Sequence, residues 1–75
     1  MKQYIEVYGE ESGYMEKFDS VLKAYQFVKE IKEFDKKHNI KDKYYYQLVV
    51  EDETSEKVYD LKVYLRNNKL YAKVV

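Results

Sequence analysis

Apolar and polar residues alternate along most of this chain, and where they stop alternating the period lengthens to that of a helix. In residues 2–8, Ile5 and Val7 point one way while Tyr4, Glu6 and Tyr8 point the other. That period of two predicts a half-buried strand. Gly9-Glu10-Glu11-Ser12-Gly13 then predicts a turn, with glycine able to take positive φ at either end. Tyr14 to Phe18 predicts a short second strand that closes a hairpin.

At Asp19-Ser20 the pattern changes. Either side chain suits a helix N-cap, because its oxygen accepts from the free amides of the first turn. Ala24, Phe27, Val28, Ile31 and Phe34, extended by Val21, form one apolar stripe at helical spacing. Lys23, Gln26, Lys29, Glu30, Glu33 and Lys37 lie opposite. Lys36, Lys37 and His38 put positive charge at the negative end of the helix dipole. Asn39 suits the left-handed residue that ends a helix. The predicted helix covers about residues 20–38.

Alternation returns over Tyr44–Val50, Tyr59–Arg66 and Lys69–Val75. Asn67-Asn68 suits a two-residue type I′ turn, which needs positive φ at both positions. That turn sets Leu65 opposite Leu70, Val63 opposite Ala72 and Leu61 opposite Val74, all on one face. The loop Asp52–Lys57 joins the other pair of strands. There the pattern predicts Val50 opposite Tyr59, Leu48 opposite Leu61, Tyr46 opposite Val63 and Tyr44 opposite Leu65. The expected fold is a single α+β domain spanning residues 1–75, in the order β-β-α-β-β-β. One amphipathic helix packs on one face of an antiparallel sheet.

These registers also define the face turned away from the helix. They place Tyr45, Tyr64 and Tyr71 in one row across three strands, with Gln47, Lys62 and Lys73 beside it. Arg66 and Lys69 extend the basic strip, and Asp60 is the one acid assigned to it. Glu10 and Glu11 gather in one loop, and Glu51, Asp52, Glu53 and Glu56 in another.

Composition narrows what such a surface does. Seventy-five residues bury only about 60% of their unfolded surface, so a large cofactor pocket is not expected. With 17% aromatic residues and no proline, the chain reads as folded rather than disordered. Fourteen basic and fourteen acidic residues cancel, so any charge argument is local. There is no cysteine, which excludes disulfides and thiolate metal sites and fits a reducing, cytoplasmic setting. No apolar run is long enough for a signal peptide or a membrane span.

No catalytic chemistry stands out. His38 is the one histidine, and Ser12, Ser20, Thr54 and Ser55 fall in turns or a cap. Asp52, Glu53 and Glu56 lack the spacing and glycine of a calcium loop. There is no glycine-rich phosphate loop. Neither enzyme activity, a cofactor nor a metal is therefore expected.

The tyrosine row has two readings. Cross-strand aromatic pairs stabilise a sheet by roughly 0.2–1 kcal/mol each. Tyrosine is also enriched in interface cores, and one helix covers one face of a sheet only. The acidic loops likewise serve as solvated turns or as a surface that docks on a basic partner. The function expected is a non-enzymatic protein-interaction module. Its binding residues are Tyr45, Tyr64, Tyr71, Lys62, Lys73 and Arg66, with Glu51, Asp52 and Glu53. The partner is another protein, or a second copy packed on the sheet face. In size and composition the chain resembles small accessory proteins of phages and mobile elements, anti-CRISPR proteins among them. That likeness implies inhibition of a host protein by binding. The alternative is weak single-stranded nucleic-acid binding by the Tyr/Lys face, although no RNP-like motif is present.

Overall fold

The computed structural model describes residues 2–75. Its elements are β1 (Lys2–Gly9), β2 (Gly13–Phe18), α1 (Val21–Lys37), β3 (Tyr44–Glu51), β4 (Glu56–Arg66) and β5 (Lys69–Val74). All strand pairs are antiparallel, and the sheet order is β2-β1-β3-β4-β5. The expected α+β class and element order hold.

Each punctuation point has a local cause. Ser20 is the N-cap and its hydroxyl accepts from the Lys23 amide at 3.2 Å. Asp19, the other candidate, instead pairs with Lys23 at 3.0 Å on the surface. Asn39 ends the helix at φ 57°, and Asn67 and Asn68 turn the last hairpin at φ 51° and 63°. Gly13 takes φ 81°, but Gly9 does not need positive φ. It is buried, and a side chain there would collide with Ser12 and Asp42.

The core lies between α1 and the β2-β1-β3 half of the sheet. Ile5, Val7, Ala24 and Val28 are buried, with Met15, Phe18, Val21, Phe27, Tyr46, Leu48 and Leu61 packed around them. Phe18 and Phe27 meet at 5.0 Å between ring centroids. Phe34 departs from the expected stripe: it is 55% exposed and stacks on His38 at 4.1 Å. The inward line runs through Ala24, Val28 and the half-buried Ile31 to Asp35, so Asp35 takes a buried position. Its carboxylate is satisfied there by the Tyr44 hydroxyl. Burial, then this bond, push the Tyr44 hydroxyl pKa well above its ordinary value.

The β4–β5 register is the expected one, from Leu61↔Val74 to Arg66↔Lys69. The β3–β4 register is not. Leu48 faces Tyr59, Tyr46 faces Leu61 and Val50 faces Lys57, two residues away from the expectation. The turn between them is shorter than expected, closed by the Asp52 amide on the Ser55 carbonyl at 2.8 Å. A slip of two leaves every side chain on its own face, so the apolar pattern could not detect it.

That slip shapes the molecule. β3 pairs with Glu56–Leu61, whereas β5 pairs with Leu61–Arg66. Beyond Leu61, β4 and β5 continue as a two-stranded arm without β3 alongside. The radius of gyration is 13.1 Å, against about 11 Å for a compact chain of this length.

Candidate functional site

The arm is where the expected binding residues collect. In a two-residue hairpin the pair flanking the turn exchanges both hydrogen bonds, and every second pair after it does the same. Tyr64↔Tyr71 and Lys62↔Lys73 are therefore bonded pairs. The amides of Val63 and Leu65 point to the side that β3 does not reach.

On the face away from the helix, Tyr64 and Tyr71 stack at 5.6 Å with 20° between their planes. The Lys62 ammonium lies 5.7 Å from the Tyr64 ring. Arg66, Lys69 and Lys73 are exposed beside them. Among the described residues the ion pair recorded is Lys23–Asp19, so these arm cations are uncompensated. Asp60, the acid expected there, is engaged by the Gln47 amide at 3.3 Å.

Tyr45 does not join this pair. The expected row of Tyr45, Tyr64 and Tyr71 breaks because the β3–β4 slip sets Gln47 opposite Asp60 and ends the pairing at Tyr46. Tyr45 sits instead beside Tyr8 on β1, and Tyr8 meets Tyr14 edge-on at 5.5 Å. Two tyrosine groups result, Tyr14–Tyr8–Tyr45 on the body and Tyr64–Tyr71 on the arm. The expected second row also splits, since Gln47 belongs to Asp60 and only Lys62 and Lys73 face each other.

The acidic loops lie elsewhere. Glu51, Asp52 and Glu53 sit at the opposite end of β4 from the arm tip. Glu51 accepts from the Tyr4 hydroxyl at 2.7 Å, which raises the Tyr4 pKa strongly. Asp52 accepts from the Glu53 amide at 2.7 Å. Both carboxylates thus hold local structure, and the structure does not bring them together with the Tyr/Lys residues. Val49, on this same open face, is fully buried between Tyr4 on β1 and Val58 on β4.

Two features escaped the sequence reading. Asp42 ties the β1–β2 turn to the segment before β3. Its carboxylate accepts from the Glu11 amide at 2.9 Å, the Ser12 hydroxyl at 2.9 Å and the Lys43 amide at 2.8 Å. The Glu11 bond leads in lowering its pKa. No spacing rule reveals a contact 31 residues apart. The second is a cleft of about 770 Å³ at the fork between β3 and the arm. Tyr8, Tyr45, Leu61, Lys62 and Val63 line it, and Lys32 reaches it from the helix.

No set of three or more His, Asp or Glu among the described residues is placed to hold a metal ion. No described helix is long and apolar enough to cross a membrane. Compared with protein-family models, curated proteins and solved structures, the chain matches none.

Proposed function

We propose that this chain is a non-enzymatic protein-interaction module whose contact element is the β4–β5 arm. One observation carries the reading. The arm runs beyond the end of the β3 pairing and keeps large side chains in solvent on both faces. Leu65 is 53% exposed on one face and Tyr71 41% on the other. A lone two-stranded ribbon is marginally stable in water. Exposed aromatic and aliphatic side chains rimmed by cations are also the composition of an interface. Tyr64, Tyr71, Lys62, Lys73 and Arg66 are the residues assigned to binding. A small module that acts this way blocks a surface of a larger protein, so inhibition of a host protein by occlusion is the role proposed.

The double variant Tyr64→Ala, Tyr71→Ala tests this. It should lose the partner in quantitative affinity capture while retaining a folded circular dichroism spectrum. Full retention of the same partner by the folded variant would overturn the proposal.

The four uncompensated cations of the arm favour one alternative, binding of single-stranded nucleic acid. Tyr64 and Tyr71 turn one ring face toward each other, which leaves fewer faces for bases. The protein partner is therefore preferred. Fluorescence anisotropy with labelled oligonucleotides separates the two, since phosphate binding weakens steeply as salt rises.

A further inference from the structure

The helix-side face of the β4–β5 half is a vacant position for a second helix. Its inward residues are Leu61, Val63 and Leu65 on β4 and Leu70, Ala72 and Val74 on β5. None is charged. α1 packs chiefly on β1 and β2. Leu61 reaches the edge of that core, and the five side chains beyond it lie outside the core cluster. Leu65 and Val74 remain 53% and 49% exposed.

The vacancy has a definite size. From the line between β2 and β1 to the line between β4 and β5 is three strand spacings, about 14 Å. Packed helices lie about 8–10 Å apart, so one helix fits beside α1 and two do not. The β4–β5 pairing covers six residues of each strand. That is about 20 Å, the length of roughly 13 helical residues.

The wall of the vacancy carries charge. Tyr25, Lys29, Lys32 and Lys36 form one stripe on the flank of α1 above Tyr46. Glu33 is the one acid lining this flank. Among the described residues none of the three lysines is in an ion pair. An occupant must therefore present an apolar stripe to the sheet and carboxylates to α1. A second copy supplies the wrong charge, because the flank of its own helix is this same basic stripe.

We infer that this groove receives an amphipathic helix of a partner protein with an acidic flank. The inference rests on the arm being the docking element, but it concerns the face opposite Tyr64 and Tyr71 and names what docks there. Recognition is of the helix-in-groove kind, with apolar anchors spaced i, i+3, i+4 and i+7.

The test uses two 14-residue peptides with the same leucine stripe, one flanked by glutamates and one by lysines. Each is titrated into the intact ¹⁵N-labelled chain. The glutamate peptide should shift the amides of Leu61, Val63, Leu70 and Ala72 and those of Lys29 and Lys32. The lysine peptide should bind at least tenfold more weakly. The pair Lys29→Glu, Lys32→Glu lies on the exposed helix surface and should reverse that preference with the spectrum otherwise dispersed.

Equal binding of both peptides, or no shifts at millimolar peptide, would overturn the inference. So would a dimer in light scattering whose interface maps to this face. These failures are distinct from failure of the arm reading. Loss of a captured partner through Tyr64→Ala, Tyr71→Ala together with indifference to the helix reversals would leave the arm as the docking element and remove the groove.

Discussion

Ile5 and Val7 on β1 and Val63 and Leu65 on β4 occupy equivalent positions: alternate residues of a strand, all facing the helix side. Ile5 and Val7 are 5% and 0% exposed, whereas Leu65 is 53% exposed. The difference lies in their neighbours. β1 is flanked by β2 and β3 and roofed by α1, while the outer part of β4 has β5 alone. The same residue pattern therefore makes a core in one half of the sheet and an open surface in the other. A strand's alternation states which face is apolar, and the placement of the helix decides whether that face is filled.

The comparison breaks if the two halves respond alike to truncation. Ile5→Ala should cost about 2–5 kcal/mol in chemical denaturation. Leu65→Ala should cost under about 1 kcal/mol, as for other surface positions. Next in size is Tyr44→Phe, which leaves the buried Asp35 carboxylate without its hydroxyl donor and should cost about 1–3 kcal/mol. Tyr45→Phe, one residue along on the exposed face, should be near neutral.

A smaller effect sharpens the contrast. Asn68→Ala puts an ordinary side chain at φ 63°, at a cost of about 1–2 kcal/mol. Because the arm carries that cost locally, exchange of the Tyr64 and Tyr71 amides should accelerate while those of Ile5 and Val7 hardly change.

At neutral pH the smallest effect is that of tyrosine titration, and it grows in alkali. Burial pushes the Tyr46 hydroxyl up to about 12, and Tyr4, Tyr8 and Tyr44 are raised as well. A raised folded-state pKa contributes stability that is complete below the unfolded value near 10. It is lost as pH climbs through the folded values. Thermal melts should therefore show little change up to pH 9 and a fall above pH 10 that Tyr46→Phe reduces. Asp42 works in the opposite direction. Its pKa is lowered, so its contribution fades as pH falls through the folded value.

Much of this was readable from residues. The helix, its Ser20 cap, the left-handed Asn39 and the Asn67-Asn68 turn each follow from local chemistry, and each holds. The last hairpin's register follows because a two-residue turn leaves no freedom. The β3–β4 register was hidden because a slip of two conserves the faces, and the arm exists only because of that slip. Tyr45 lies outside the Tyr64–Tyr71 pair for the same reason. Phe34 leaves the expected stripe and Asp35 turns inward because the inward line of α1 follows positions 24, 28, 31 and 35. The hydroxyl that makes Asp35 tolerable inside comes from Tyr44, beyond the helix. In the arm, the facing pairs Tyr64–Tyr71 and Lys62–Lys73 were legible from the hairpin register. The groove beside α1 was not, since it depends on which strands the helix covers.

Native-state amide hydrogen exchange on the isolated chain decides whether the arm is held less firmly than the body. Tyr64 and Tyr71 have bonded amides within the arm, and Ile5 and Val7 lie on a strand paired on both sides. Tyr64 and Tyr71 should exchange by local opening, with protection at least a hundredfold below that of Ile5 and Val7 (about 2.7 kcal/mol). Equal protection across all four, at the level of global unfolding, would show the arm to be as firmly held as the body and no separate element.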